Sequence, residues 1–238
     1  AQDKPIALII PCLYSELAGE ALPRIVDEIA AIDYLEEVIV GLDQADASQF
    51  AEARTFFSRL PQRTRLLWND GPRLRDVDRL LAEHDLAPNE QGKGRNVWYC
   101  LGYFLASGRS KAVALHDADI LTYDRSMVAR LLYPIMHPTF GYSFSKGYYY
   151  RAAAQRMNGR VMRLLVAPLT RALRGTIGDD DYLRYLDSFR YPLAGEFALE
   201  ADLVRSIRIP ADWGLEVGVL SEVFRMLRPR SICQVDLA

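Results

Sequence analysis

Residues 111–120 read KAVALHDADI, an apolar run ending in two aspartates one residue apart. Asp-x-Asp occurs three times, at Asp76/Asp78, Asp117/Asp119 and Asp179/Asp181. Only the middle pair stands at the mouth of a predicted buried strand. Residues i and i+2 of a strand project to one side, so both carboxylates are expected to face one point. Two such oxygens suit a hard divalent cation, Mg2+ or Mn2+, that holds a diphosphate. The bland alternative for any one of these acids is a helix cap or a turn.

Upstream of this stretch the same pattern repeats. IALIIPC (6–12), EEVIVGL (36–42) and RLLW (65–68) read as strands. Helical spacing separates them, from about Glu20 to Ile32, from Asp46 to Leu60, across 73–85 and from Arg95 to about Ser107. Strands alternating with helices predict βαβ units and an α/β fold with a mostly parallel sheet flanked by helices. Ligands of such sheets bind outside the carboxyl ends of the strands. Polar groups collect at four such ends: PCLYSE after the first, LDQAD with Asp43 after the second, Asn69 and Asp70 after the third, HDAD after the fourth.

The second half is more helical. Helices are expected from Asp124 to Met136, between Arg160 and Arg174 with Pro168 dividing the segment, near 179–188, and through GLEVGVLSEVFRML (214–227). FGYSFSKGYYYR (140–151) reads as a strand or hairpin, YPLAGEFAL (191–199) as a strand entering a helix, and SICQVDLA as a final strand. The reading divides the chain into an α/β half, 1–122, and a more helical half, 123–238, of one domain. No capping element follows the last strand, so the natural protein is expected to continue beyond it.

Composition narrows the class. The 238 residues are 50% hydrophobic and 25% charged, with a formal net charge of −2, which gives no global pull toward nucleic acid or membrane. Cys12, Cys100 and Cys233 form no metal-binding spacing and read as reduced thiols of a cytoplasmic protein. No apolar stretch approaches the roughly 20 residues of a membrane span. Neither a Gly-x-Gly-x-x-Gly after the first strand nor a Gly-x-x-x-x-Gly-Lys-Ser/Thr occurs, which argues against a dinucleotide dehydrogenase and a P-loop enzyme. GKG (92–94) offers one lysine, Lys93, just before a helix.

Charge is unevenly spread. From Arg125 to Gly178 there is no Asp or Glu, where about seven are expected from the average. Nine cations lie there: Arg125, Arg130, Lys146, Arg151, Arg156, Arg160, Arg163, Arg171 and Arg174. Arginine forks bind phosphate and carboxylate, so a small anionic second substrate is expected. The alternative is a basic outer face or a subunit contact. RNA binding is disfavoured because no RNA-binding motif accompanies the run. NGR (158–160) adds backbone N–H groups at a predicted helix start. Glu196 in AGEF and Glu216 in WGLEVG sit near helix starts, where a macrodipole-favoured carboxylate is the alternative to a ligand contact. Of His84, His116 and His137, only His116 adjoins the acidic pair.

In that order, IPCLYSE, GKG, HDAD, NGRV, AGEF and WGLEVGVL resemble the GT-A glycosyltransferases that make glucosyl- or mannosyl-3-phosphoglycerate. The resemblance spans nearly the whole chain. It implies a Rossmann-like GT-A fold, a nucleotide-sugar donor (UDP-glucose or GDP-mannose), a divalent metal, 3-phosphoglycerate or a similar anion as acceptor, and a homodimer. By position, it implies Pro11, Leu13 and Ser15 at the nucleoside, Asp43 nearby, and Lys93 at the nucleotide. Asp117 would face the ribose or sugar and Asp119 the metal. Gly159, Arg160 and Val161 would hold the acceptor, and Glu196 and Glu216 would contact sugar hydroxyls or acceptor.

Two departures accompany it. Met162 stands where the family places an acceptor-binding threonine, leaving Arg163 to compensate or a smaller anion such as glycerate to bind. The family's metal-ligating histidine falls past residue 238, and none of the three histidines matches it. Rival readings are a polyprenyl-phosphate glycosyltransferase, a sugar nucleotidyltransferase, and a non-catalytic nucleotide-binding protein of the same fold.

Overall fold

The computed structural model describes residues 4–88, 90–149, 152–153, 156–157, 159–211 and 214–238. The first strand, β1 (Ile6–Leu13), is buried on both faces until its last residue. Leu8, Ile10 and Cys12 enter one hydrophobic layer, Ala7 and Ile9 the other. Two-sided burial of this kind is the mark of an interior parallel strand. Helix α1 (Ala21–Ala30) follows, and Leu22, Ile25, Val26 and Ile29 form its buried stripe at helical spacing.

Next come β2 (Glu37–Asp43), α2 (Ala47–Phe57), β3 (Arg63–Trp68), α3 (Pro72–Ala82), α4 (Lys93–Ser107) and β4 (Ala112–Leu115). Asp46 caps α2 by accepting from the Gln49 N–H at 2.9 Å. The second half supplies α5 (Ser126–Met136), β5 (Phe144–Tyr148), the two-residue strands β6 (Ala152–Ala153) and β7 (Arg156–Met157), α6 (Ala167–Ile177), α7 (Asp181–Asp187), β8 (Phe197–Glu200), α8 (Ala201–Ser206), α9 (Leu215–Met226) and β9 (Ile232–Asp236).

The main sheet has the order β3-β2-β1-β4-β8-β5-β9. β1 pairs in parallel with both β2 and β4, and β2 with β3. β8 is antiparallel to β4 and to β5, while β5 and β9 are parallel. The expected mostly parallel α/β sheet is present, and one sheet runs through both halves of the chain. Apolar residues of α1, α2 and α5 cover one face; those of α4, α8 and α9 cover the other. Strand order reverses between β1 and β4, which opens a crevice at their carboxyl ends.

Several expectations change. β4 ends at Leu115, so Asp117 and Asp119 lie in the following turn, and strand alternation does not set their directions. Pro168 does not break its helix: a π-helical turn (Met162–Val166) runs into α6, and proline takes an early position where its missing N–H is tolerated. Glu196 precedes β8 directly rather than marking a strand-to-helix junction. The basic block is partly discharged by acids outside it. Arg174 pairs with Asp179 and Asp187 at 2.9 Å each, and Arg125 with Glu28 at 3.5 Å. Arg151, Asn158 and Trp213 lie outside the described residues, as does the side chain of Arg156.

Candidate active site

The site is assembled where α4 begins. Gly92 caps that helix with φ 154°, a backbone setting that favours glycine, so the chain enters α4 directly at Lys93. Two residues on, Arg95 Nη2 lies 2.8 Å from Asp43 Oδ1 and 3.3 Å from Asp70 Oδ1. Asp70 Oδ2 accepts from the Gln44 N–H at 2.8 Å. Asn96 donates to the Gly41 carbonyl at 2.8 Å. These bonds fix α4 over the ends of β2 and β3. Burial pushes the Asp43 carboxyl above the usual range, and Arg95 pulls it back.

With α4 fixed, Lys93 reaches across the crevice. Its Nζ lies 2.6 Å from Asp117 Oδ1 and 2.8 Å from Glu216 Oε1 in the first turn of α9. Burial alone would depress the ammonium, but the two carboxylates outweigh it and drive its pKa above the usual lysine range. Asp117 is packed from its other side by Gly195. A Cβ on that glycine would fall 2.2 Å from Asp117 Oδ2, so only glycine admits this approach.

Glu16, unmarked individually in the sequence, completes the acidic edge. Its Oε2 accepts from the Leu13 N–H at 2.8 Å. Burial is the main cause of its raised pKa, with the nearby charges of Asp119 and Asp117 adding to it. Asp119 is exposed and has no side-chain partner among the described residues. The exposed Asp119 carboxylate offers the kind of oxygen ligand a hard cation takes, with a diphosphate to fill further positions. Among the described residues there is no preformed cage of three or more His, Cys, Asp or Glu. An open carboxylate rim is what the fold offers.

Other expected residues fall around this cluster. Pro11 is buried within β1, while Leu13 and Ser15 are exposed at its carboxyl end. Gly159 has φ 79° and lies against the Tyr191 ring. Arg160, Val161 and Arg163 are exposed on the helical turns that follow, where the Arg163 N–H donates to the Gly159 carbonyl at 3.1 Å. Tyr191 in turn accepts from the Ala194 N–H at 3.1 Å, one residue before Gly195. Glu196 is fully buried, and neither carboxylate oxygen has a hydrogen-bond partner. Burial, then Asp117, pushes its pKa up. His116 is also fully buried, and its ring meets Tyr123 edge-on at 5.4 Å. It is a core residue.

The other two Asp-x-Asp pairs are structural. Asp78 accepts from Tyr99, Asp76 pairs with Arg79, and Asp179 and Asp181 pair with Arg184.

No family model matches the chain. A glucosyl-3-phosphoglycerate synthase of Persephonella marina is 44% identical over 237 residues, covering 100% of this chain and 59% of that protein. The enzyme of the same name from Methanococcoides burtonii is 42% identical over 239 residues, 99% of this chain and 58% of its own. Over its whole length the chain is similar to these glucosyl-3-phosphoglycerate synthases. It spans about three fifths of the length of these relatives. The fold agrees: a Mycobacterium tuberculosis glucosyl-3-phosphoglycerate synthase, solved with Mn2+, UDP-glucose and phosphoglyceric acid, superposes with a TM-score of 0.70 at 24% identity. That match covers 99% of this chain and 70% of the solved one and fixes the architecture as GT-A. No helix among the described residues is long and apolar enough to cross a membrane.

Proposed function

We propose that the chain forms the donor and acceptor sites of a retaining, metal-dependent glycosyltransferase that moves glucose from UDP-glucose to 3-phosphoglycerate. One observation carries this reading: Lys93 held between Asp117 and Glu216 at the carboxyl edge of the sheet. The named relatives, and the ligands of the solved M. tuberculosis enzyme, support the choice of substrates.

Residues 1–122 bind the donor. Pro11, Leu13, Ser15 and Asp43 lie along the nucleoside, and the Lys93 ammonium balances diphosphate charge. Asp117 and Glu216, steadied by Lys93, orient the sugar hydroxyls. Asp119 would hold Mg2+ or Mn2+, which would supply Lewis-acid stabilisation of the departing diphosphate. Residues 123–238 bind the acceptor through Gly159, Arg160, Val161 and Arg163, whose exposed guanidiniums match a phosphate and a carboxylate.

The 2-hydroxyl is the only free hydroxyl of 3-phosphoglycerate, so it is the nucleophile. Its oxygen bonds to the sugar C1 as the C1–diphosphate bond breaks, and its proton passes to the leaving diphosphate. Attack occurs on the face that the diphosphate leaves, which retains the configuration. Both Glu196 oxygens are buried, which supports direct attack over a covalent glycosyl–enzyme intermediate. The protein works in the cytoplasm as a homodimer.

A transfer screen tests this. UDP-glucose and GDP-mannose are each offered with 3-phosphoglycerate and with glycerate, with Mg2+, with Mn2+ and without metal. Metal-dependent transfer from UDP-glucose to 3-phosphoglycerate is expected. Preferential transfer to glycerate would instead follow from Met162 replacing a phosphate-binding hydroxyl. Donor binding without transfer to either acceptor would favour a non-catalytic nucleotide-binding protein.

A further inference from the structure

Lys146 lies in β5 with 2% of its surface exposed. An ammonium in such a place costs several kcal/mol unless something compensates it, and a hydrophobic side chain of similar volume is often as stable or more so. Yet no carboxylate forms an ion pair with it among the described residues. Its ammonium donates instead to the Ala194 carbonyl, and the Phe197 ring lies 5.4 Å away. Compensation comes through space: burial depresses its pKa, while the charges of Glu196, Glu216 and Asp117 oppose the fall.

The contact with Ala194 leads directly into the site. Ala194 is followed by Gly195, whose Cα rests on the Asp117 carboxylate so closely that a Cβ would sit 2.2 Å from Oδ2. The other Asp117 oxygen is held by Lys93 at 2.6 Å, and Lys93 holds Glu216. The 191–196 segment is otherwise tied by the Ala194 N–H to the Tyr191 carbonyl and by the Gly147 N–H to the Glu196 carbonyl at 2.9 Å. Among the described residues, Lys146 is the one side chain that hydrogen-bonds this segment between those two ties.

We propose that Lys146 is a positioning residue for the donor sugar: its ammonium fixes the Ala194 carbonyl, which seats Gly195 against Asp117 and sets the direction of that carboxylate. The inference rests on the donor reading of Asp117 given above. It assigns to a buried lysine of β5 a part in transfer that needs no contact with substrate.

The test compares wild type, Lys146→Met, Glu196→Gln and the Lys146→Met/Glu196→Gln double variant. Lys146→Met keeps the volume and removes the donor; the double variant also removes the carboxylate left without its counter-charge, and serves if the single variant fails to fold. Each protein is titrated with UDP in Mn2+ by calorimetry and assayed for transfer from UDP-glucose to 3-phosphoglycerate. The expected result is that kcat falls about tenfold to a hundredfold on losing Lys146, against the matching Lys146 background, while UDP affinity moves by less than about twofold. Unchanged kcat in folded Lys146 variants would overturn the proposal. So would parallel losses of kcat, UDP affinity and melting temperature, because that pattern belongs to a purely structural residue. Absence of transfer in wild type would overturn the proposed function itself, and this inference with it.

Discussion

Lys93 and Glu216 are 123 positions apart in the chain and meet at 2.8 Å. Each lies in the first turn of its helix, α4 and α9, and each helix packs on the same face of the sheet. Removing the ammonium leaves Asp117 and Glu216 as neighbouring like charges with no cation between them. Lys93→Met is therefore predicted to weaken UDP binding and to lower transfer by about a hundredfold or more. Calorimetry with UDP and steady-state transfer kinetics measure the two effects; near-wild-type kinetics would deny Lys93 its role.

Gly195→Ala tests the close approach behind Asp117. The new methyl would fall 2.2 Å from Oδ2, so the carboxylate must turn away from Lys93. Transfer is predicted to drop at least about tenfold, since a misplacement of 1 Å can cost a hundredfold. A crystal structure of the variant would show whether the Lys93–Asp117 bond has opened.

Asp119→Ala separates metal binding from folding. The side chain is exposed and has no partner among the described residues, so its loss should leave stability within about 0.5 kcal/mol of wild type. The dependence of UDP affinity on Mn2+ should disappear or shrink sharply. Full metal dependence in this variant would place the cation elsewhere.

Arg95→Met strips the counter-charge from Asp43, which is 4% exposed. Breaking a buried pair by removing one partner typically costs about 3–5 kcal/mol, and here the loss also leaves Asp43 and Asp70 as neighbouring like charges. Urea denaturation measures it. Arg95→Met with Asp43→Asn should recover part of the loss, because the buried carboxylate goes with its partner.

His116 gives the fold an acid-side limit. Burial lowers its pKa from 6.5 to about 4, with the Asp117 charge opposing the shift. Between those values the unfolded chain binds a proton that the folded chain refuses. The contribution to stability is complete above pH 6.5 and is lost as pH falls toward 4, to a depth of about 3 kcal/mol. Melting of His116→Phe and wild type across that range should show this difference in slope. Equal slopes would mean that another group sets the acid limit.

Much of the architecture was legible in the order of residues. β1, β2, β4, α1, α2, α4 and α9 follow from unbroken apolar runs or helical stripes, because these elements are buried on two faces or along one. HDAD was correctly placed at a strand mouth, but its two aspartates were expected on a strand that stops two residues earlier. Asp117 is turned by Gly195 and Lys93, partners far away in sequence that no local pattern encodes. The depth of Glu196 and the reach of Lys146 also depend on how β5 lies against β8. The acid-free basic run suggested free cations, whereas Arg174 is occupied by Asp179 and Asp187 just beyond its boundary. Glu16 stood in the quoted PCLYSE but gave no sign of its own, since its place beside Asp117 and Asp119 exists only after β1 and β4 pair.

The most direct measurement is the product itself. UDP-glucose, 3-phosphoglycerate and Mn2+ are incubated with the protein, and the anomeric proton of any new glycoside is read by NMR. An α-linked glucosyl-3-phosphoglycerate, absent without metal and absent with Lys93→Met, is the predicted result. A β-linked product would contradict the same-face attack, and free glucose with no glycoside would contradict the acceptor site.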